Sequence, residues 1–395
     1  MDTNFLGESG MKRLALFLDG TWNTVESQTN VVRLHDAVAT RDGAIEQCRY
    51  YDRGVGTAMF ERLRGGMLGY GLSRDVVDAY SWLLKRYEDG DEIYIVGFSR
   101  GAYTARSLAG MIARCGLLRP GARLTPKELF KRYQRSDVRP IHELDYAAAT
   151  GGELKNEERE LLGQSRRVPI RMIAVWDTVG ALGIPFGDIP GLSRRRFQFH
   201  NTRLSTIFEH AYHALAIDEH RQAFQPTLWT RFTPKIPDPP PAAGAAPPRT
   251  VEQRWFAGAH ADVGGGNATS LPSISLRWLA EKAHAAGLKL NSPISMPMNA
   301  IDGEITDSFG QFMFGLYKLA KRGIPFERTI QAAAVEKDRG WVDTVSETID
   351  ASVFDRWRRY DAYRPPALSR WARDMGIDPE KISTAVSAVD GRPLN

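Results

Sequence analysis

The chain has 395 residues, which is enough for one large or two ordinary domains with a substantial buried core. Its two cysteines, Cys48 and Cys115, form no Cys-x-x-Cys motif and no Cys/His cluster, so we expect neither a disulfide scaffold nor a zinc site. The formal net charge of +5 comes mainly from scattered arginines without interleaved aromatic residues. This excludes a typical nucleic-acid module and leaves a solvated surface or contact with anionic lipid or phosphate as explanations.

The apolar run at residues 14–18 is too short for the core of a signal peptide. No stretch approaches the ~20 apolar residues that are needed to span a bilayer. We therefore expect a cytoplasmic protein, or one that is exported by a route without a signal peptide.

Predicted strands and helices alternate along the first hundred residues. In chain order they are a strand at 13–18, a helix at 29–38, a strand at 48–52, a helix at 74–87 and a strand that ends at Gly97. Such alternation predicts an α/β fold with a mainly parallel sheet and crossover helices, compatible with the central half of an α/β-hydrolase.

Residues 97–101, Gly-Phe-Ser-Arg-Gly, follow the buried strand and precede a helix rich in small residues. This G-x-S-x-G pattern between strand and helix is typical of a nucleophile elbow, in which Ser99 adopts a strained backbone conformation. Glycines are needed at positions 97 and 101 because side chains there would collide where strand and helix cross. The pattern predicts Ser99 as a catalytic nucleophile.

The remainder of the chain predicts further elements and two irregular segments. They are a helical lid insertion at 117–167, a strand at 168–176, a helix at 202–217, strands at 227–233 and 252–256, a mobile Pro/Ala-rich loop at 234–250, helices at 275–286 and 309–321, and aromatic, Arg-rich C-terminal segments. No internal repeat is present, which favours a single elaborated domain over 1–395 with a helical C-terminal elaboration.

A serine nucleophile needs a base and an orienting acid. His260 follows a late strand and is flanked by glycines, which makes it the best candidate base. His210 and His213 are weaker candidates because they lie on the predicted helix. Asp177 follows the strand at 168–176, where a carboxylate can reach a histidine at the sheet edge, and gives the chain order Ser, Asp, His.

Other carboxylates remain as alternative or supporting acids. They are Asp19, Asp218 and Asp262. The last lies two residues from His260 and is also explained as a turn residue. The oxyanion donors are predicted at the backbone N–H of Arg100 and at Gly20 and Thr21.

No cofactor and no metal site are predicted, although Asp188 or the Asp218–Glu219 pair could bind calcium. Residues 16–21 resemble the start of an aspartyl phosphatase, but Phe17 replaces the nucleophilic aspartate. The Gly-rich runs at 54–57 and 65–71 lack the Gly-Lys-Ser/Thr ending of a phosphate loop. The sequence therefore gives no support for phosphoryl transfer.

Six sequence blocks together resemble one known family. They are residues 18–23 (LDGTWN), 54–57 (GVGT), 97–106 (GFSRGAYTAR), 175–180 (VWDTVG), 213–219 (HALAIDE) and 260–266 (HADVGGG). They are similar to the signature blocks of the α/β-hydrolase family called domain of unknown function 2235, which includes the first family of type VI secretion lipase effectors. The resemblance implies a Ser99–Asp177–His260 lipolytic or esterase triad, acting on acyl esters or phospholipids.

The resemblance also implies possible partners. Type VI effectors attack phospholipids of a rival's membrane, so peripheral membrane contact and a secretion or immunity partner are expected for an effector. Two alternatives remain: cleavage of an amide or thioester on the same triad, and a non-catalytic binding module that retains the fold.

Overall fold

The computed structural model describes most of the chain. The described residues are 10–20, 28–54, 68–179, 207–234, 250–311, 315, 318–319, 321–337 and 340–394. The Pro/Ala-rich loop predicted at 234–250 lies almost wholly outside them. Its mobility stays a prediction.

A mainly parallel sheet forms the centre of the described structure. From one edge to the other, its nine strands are β14 (Val386–Ser387), β13 (Glu347–Ile349), β10 (Thr250–Phe256), β8 (Phe208–Ala216), β7 (Ile170–Trp176), β4 (Glu92–Phe98), β1 (Lys12–Leu18), β3 (Ile45–Asp52) and β2 (Arg41–Asp42). The seven inner strands are parallel, and the two-residue strands at both edges are antiparallel to their neighbours. This confirms the α/β class and the mainly parallel sheet.

Helices cover both faces of this sheet, because its inner strands are apolar on both sides. Alternate residues of β1 show the division: Leu14 and Leu16 pack on one face, and Ala15 and Phe17 on the other. The first face carries α2 (Leu68–Leu84) and α3 (Arg100–Cys115), and the second carries α1 (Asn30–Ala37) and α8 (Pro272–Ala285). The crossover connections thus place every inner strand's C-terminal end at one edge.

Three helices occupy the predicted insertion at 117–167. They are α4 (Pro126–Tyr133), α5 (Ile141–Ala149) and α6 (Asn156–Gln164). The antiparallel pair β5 (Leu117–Leu118) and β6 (Ser165–Arg166) joins the two ends of the segment. The helices bury Leu129, Leu144 and Leu161 in the core on the α3 face. That this segment acts as a lid stays a prediction.

The C-terminal region adds strands as well as helices. Its elements are α7 (His260–Gly264), α9 (Ser308–Gln311), β11 (Val335–Lys337), β12 (Gly340–Thr344), β13, α10 (Ala351–Arg359), α11 (Pro366–Met375) and β14. Strands β11 and β12 form a second, antiparallel sheet with β9 (Thr230–Pro234). The C-terminal region is therefore not the purely helical elaboration that the sequence predicts, because β13 and β14 extend the central sheet. A third apolar core lies between β8, β10, β13 and these last helices.

Two predicted helices differ from the structure. The segment predicted as a helix at 202–217 forms strand β8 over its described part, because it lies buried between β7 and β10 and pairs with both. Neighbouring strands override the helical preference of its alanine and leucine residues. The helix predicted at 309–321 is represented by the short α9, and several of its later residues lie outside the described part.

No helix in the described part of the chain combines the length and the apolar character that crossing a membrane requires.

Candidate active site

Ser99 lies in a sharp turn between β4 and α3. Its φ is 57° and its ψ is −119°, a conformation that costs an L residue roughly 1–3 kcal/mol. A Cβ on Gly97 would lie 2.6 Å from the carbonyl oxygen of Gly101, and a Cβ on Gly101 would lie 2.0 Å from that of Leu18. The predicted requirement for glycine at both positions therefore agrees with the backbone geometry.

The next strand in the sheet places Asp177 beside this turn. Strand β7 pairs with β4, and the Ser99 N–H donates to the carbonyl of Trp176 at 3.1 Å. Asp177 follows Trp176 directly, has a φ of 36° and is fully buried. Its Oδ1 accepts a hydrogen bond from the Ala216 N–H at 3.1 Å. The acid candidate is thus fixed next to the turn that carries Ser99.

His260 reaches the same place from β10. It is the first residue of α7, and its Nδ1 lies 2.6 Å from Oδ2 of Asp177. The rings of Phe98 and Phe224 pack against the imidazole, with centroids 4.7 Å and 5.1 Å away. The other ring nitrogen, Nε2, is buried and has no hydrogen-bond partner among the described residues. An oriented imidazole with one nitrogen unused can act as a general base.

The loop before His260 depends on glycine. Gly258 has a φ of 113°, and a Cβ there would lie 2.5 Å from Cβ of Asp262. The His260 N–H donates to Oε2 of Glu219 at 3.2 Å. Arg221 pairs with both oxygens of Glu219 at 2.7 Å. Burial raises the pKa of Glu219, but the hydrogen bonds and the charge of Arg221 outweigh it, so this pKa lies below its ordinary value. The backbone that carries the imidazole is therefore held by a buried ion pair.

Arg328 is a site residue that sequence reasoning missed. Its Nη1 donates to Oδ1 of Asp177 at 2.6 Å, and its Nη2 donates to Oδ2 at 2.9 Å. Both side chains are completely buried. No motif surrounds Arg328, and it follows Asp177 by 151 residues. The sequence therefore offered no signal for this contact.

The charge of Arg328 governs the ionisation of Asp177. Burial alone raises the pKa of a carboxyl group, and here it acts on a fully buried one. The Arg328 charge and the hydrogen bonds from His260 and Arg328 outweigh burial, so the pKa of Asp177 lies well below its ordinary value. Asp177 is an anion at neutral pH, as an acid that orients a histidine must be.

The three alternative acids serve other contacts. Asp19 accepts from the Thr29 hydroxyl at 2.5 Å and the Tyr51 hydroxyl at 3.0 Å, which ties the end of β1 to α1 and β3. Asp218 accepts from the Gly258 N–H at 2.6 Å and the Tyr363 hydroxyl at 3.1 Å.

Asp262 accepts from the Ala259 N–H at 2.9 Å and from the N–H and hydroxyl of Thr306 at 2.9 and 2.7 Å. These contacts brace the loops around His260. Asp218 and Glu219, the pair named above as able to bind calcium, are engaged by the N–H and hydroxyl donors on Asp218 and by Arg221 on Glu219. Asp188 lies outside the described residues.

The oxyanion candidates are only partly described. Arg100 is the first residue of α3, where backbone N–H groups point out of a helix end. The Gly20 N–H donates to Oδ1 of Asp19 at 2.7 Å, so in this conformation it is engaged within its own loop. Thr21 lies outside the described residues. The oxyanion hole at Arg100, Gly20 and Thr21 therefore stays a prediction.

His210 and His213 lie on β8 rather than on a helix. His213 is fully buried and accepts from the Thr178 N–H at 3.1 Å. Burial and the nearby charge of Arg106 lower its pKa to about 3, so it is neutral at physiological pH. Its contact with the residue after Asp177 makes it a structural support for the acid loop.

A family model described as "T6SS, Phospholipase effector Tle1-like, catalytic domain" matches residues 12–282. The chain is 32% identical over 248 residues to the uncharacterized protein YEL023C of Saccharomyces cerevisiae, covering 58% of this chain and 34% of that protein. The chain therefore spans about a third of the length of this curated relative.

Two solved structures are also similar. A crystal structure of an uncharacterized protein from Pseudomonas aeruginosa matches with a TM-score of 0.40 and 19% identity, over 73% of this chain and 47% of that chain. A structure of the Tle1 effector bound to the VgrG spike from the type VI secretion system matches with a TM-score of 0.33 and 18% identity, over 66% and 52%. The family match covers well over half of the chain and confirms the family indicated by the sequence blocks: the chain belongs to the Tle1-like catalytic domain family of type VI secretion phospholipase effectors.

Proposed function

We propose that the protein is a serine hydrolase of acyl esters, with an α/β-hydrolase-like fold and with lipids or phospholipids as its substrate class. Ser99 is the nucleophile, His260 the base and Asp177 the orienting acid. One observation carries the proposal: the buried Asp177–His260 hydrogen bond lies beside the strained turn of Ser99, at the edge where the parallel strands end.

The chemistry follows from this arrangement. His260 Nε2 accepts the proton of the Ser99 hydroxyl as Oγ attacks the ester carbonyl carbon. The imidazolium, stabilised by Asp177, gives that proton to the leaving alcohol, and an acyl-enzyme forms. Water then attacks the acyl group with His260 again as the base, which releases the carboxylic acid and restores Ser99. The backbone N–H groups of Arg100 and of Gly20 or Thr21 stabilise the oxyanion in both steps.

The substrate class rests on the family rather than on the site. Members of the Tle1-like family are phospholipase effectors by description, which favours phospholipid acyl esters over other esters. The same membership supports delivery by type VI secretion, with a component of that system as partner. Contact with a membrane surface and an immunity partner belong to the same proposal.

The test combines a serine-directed probe with a panel of substrates. Wild type, Ser99→Ala and Ser81→Ala are incubated with a fluorophosphonate probe, and turnover of p-nitrophenyl esters and mixed phospholipid vesicles is measured in parallel. Ser81 is a matched control because its hydroxyl donates to the Val77 carbonyl within its own helix. We expect Ser99→Ala to lose labelling and at least about 10⁴-fold in kcat, while Ser81→Ala behaves as wild type.

The other outcomes separate the alternatives. Labelling of Ser99 without ester turnover would point to an amide or thioester substrate on the same triad. A folded wild type that is neither labelled nor active would reject the proposal and leave a binding module that retains the fold.

A further inference from the structure

We propose that Arg328 is a positioning residue of the triad, which fixes both the orientation and the charge of Asp177. The inference rests on the proposed function and deepens it. Arg328 lies 46 residues beyond the last residue, 282, that the family model matches, so it is supplied by the C-terminal part of the chain.

The guanidinium group uses two nitrogens to hold three parts of the site. Nη1 donates to Asp177 Oδ1 and to the Ala216 carbonyl, both at 2.6 Å. Nη2 donates to Asp177 Oδ2 at 2.9 Å and to the Phe224 carbonyl at 2.6 Å. A planar fork that is fixed at all four contacts leaves the carboxylate one orientation, in which Oδ2 faces His260.

The contact with Phe224 extends this control to the histidine itself. Phe224 packs edge-on against the imidazole, with an interplanar angle of 76°, and the guanidinium of Arg221 lies 3.5 Å from the Phe224 ring centroid. Arg328 therefore holds the Asp177 carboxylate on one side of His260. Through the Phe224 carbonyl it also holds the ring that packs on another side of the imidazole. Loss of this residue would free both partners of the imidazole at once.

The segment that carries Arg328 is anchored next to the same loops. The Phe326 N–H donates to the His220 carbonyl at 2.9 Å, and His220 Nδ1 lies 3.0 Å from the Phe326 carbonyl. On its other side, the Gln331 N–H donates to Oε2 of the buried Glu347 at 3.1 Å. Arg328 is thus fixed from both directions, as a residue that positions another must be.

The charge of Arg328 has a separate effect from its geometry. A carboxylate paired with a guanidinium attracts a proton on the neighbouring imidazole less strongly than an unpaired carboxylate. Among the residues that the structure describes, the groups that face His260 are the carboxylates of Asp177 and Glu219, the cations Arg328 and Arg221, and the rings of Phe98 and Phe224. Removing Arg328 alone leaves Asp177 uncompensated, which favours the protonated imidazole that cannot act as a base.

Arg328→Met and Arg328→Lys separate these two effects. For Arg328→Met we expect kcat to fall about 100-fold with KM within about twofold of wild type, because ground-state binding does not involve Asp177. The acidic limb of the kcat/KM profile should move to higher pH by about one unit. Arg328→Lys keeps the charge but loses the fork, so kcat should fall about tenfold and the limb should stay in place. It also provides the test in the event that Arg328→Met does not fold.

Arg356→Met is the matched control. Arg356 is likewise buried in the C-terminal region, and it donates to the carbonyls of Ile301 and Gly303, away from Asp177. Its variant should lose thermal stability without changing KM or the pH profile. A folded Arg328→Met whose kcat and acidic limb equal those of Arg356→Met would overturn the proposal.

One further measurement tests the role of Arg328 without enzymatic turnover, so its result does not depend on whether the proposed function is correct. The proton between His260 Nδ1 and Asp177 should give a low-field proton NMR signal in wild type, and we expect Arg328→Met to shift or broaden it. If wild type neither labels nor turns over esters, the proposed function fails, and the NMR comparison still decides whether Arg328 orients the pair. An unchanged signal in a folded variant would contradict the inference.

Discussion

Ser99 and Asp177 both have positive φ angles, which L residues rarely adopt, and both are held in the same way. The Ser99 N–H donates to the last carbonyl of β7, and the Asp177 N–H donates to the Ala214 carbonyl of β8 at 2.7 Å. Each residue therefore continues the hydrogen-bond ladder of the sheet for one position beyond its strand. The cost of the strained conformation is offset by the sheet, which then fixes where the two side chains project.

Replacing Asp177 with asparagine should destabilise the protein more than replacing His260 with glutamine. Asp177→Asn leaves the buried Arg328 charge without a counter-charge, which costs about 3–5 kcal/mol, whereas His260→Gln removes one hydrogen-bonded partner and costs about 1 kcal/mol. Urea unfolding at pH 7 measures both free energies. Equal losses for the two variants would contradict the view that the Asp177–Arg328 pair stabilises the fold more than the Asp177–His260 hydrogen bond does.

The difference in the free energy of unfolding between wild type and Asp177→Asn should become smaller at low pH. The pKa of Asp177 is lower in the folded than in the unfolded protein, so its charge contributes stability that is complete above the ordinary carboxyl range. The contribution is lost as the pH falls through the folded-state pKa. The free energy of unfolding of wild type should therefore exceed that of Asp177→Asn by a constant amount near neutral pH, and by a smaller amount in strong acid.

The residues of the candidate site differ in how far the sequence could predict them. Ser99, Asp177 and His260 each follow a strand, and parallel strands bring such positions together, so a motif and an element order were sufficient. Arg328 follows no strand and belongs to no motif, and its contact depends on how the C-terminal segment packs. For Gly20, the sequence indicated the loop but not that its N–H would donate to the neighbouring Asp19 side chain.

At the scale of elements, the approach of helix α3 to strand β1 sets the position of Ser99, the proposed nucleophile. Gly101 lies against the carbonyl of Leu18, where even a methyl group has no space. Helix α3 can therefore begin directly above the sheet edge, with Ser99 at its start. A larger residue would push the helix outward and displace Ser99 from its place beside the end of β7.

Gly101→Ala should consequently abolish activity and lower stability by more than about 2 kcal/mol, since backbone atoms must shift. Gly163→Ala is its control: this glycine lies in α6 with open space around its Cα, so alanine should raise stability by about 0.5–1 kcal/mol through helix propensity. Thermal unfolding and probe labelling measure both variants. A destabilised Gly163→Ala would show that helix propensity does not dominate at that site.

Strand β8 is the element that the sequence wrongly predicts as a helix. Its alanine and leucine residues favour a helix, and its apolar pattern does not distinguish a helix from a strand that is buried on both faces. Strands β4 and β7 were predictable because β-branched and aromatic residues dominate them, whereas β1 was predictable as a short apolar run that ends in a turn. The position of β8 between β7 and β10 decides its conformation, and that information is not local.

At the scale of the whole molecule, the C-terminal region completes the sheet rather than forming an appendage. Trp255 of β10 and Leu215 of β8 are fully buried, and they pack in one cluster with Ile349, Phe354 and other residues from the last hundred positions. The region matched by the family model therefore shares its core with sequence that lies outside the match.

A fragment of residues 1–290 should not fold cooperatively. It would expose the apolar surface around Trp255 and lack Arg328, so we expect aggregation or a broad unfolding transition and no probe labelling of Ser99. Circular dichroism and analytical ultracentrifugation of the fragment beside the full chain provide the measurement. A soluble fragment with a single sharp transition would show instead that the C-terminal region is a separable unit.

Both borders of the central sheet consist of two-residue antiparallel strands. Strand β2 carries a charge on each residue, Arg41 and Asp42, and strand β14 pairs on its outer side with the chain near Arg392. Borders this short or already occupied offer little template for a second copy to add a strand. The described edges of the central sheet therefore disfavour the strand-by-strand growth of β-linked fibres from that sheet.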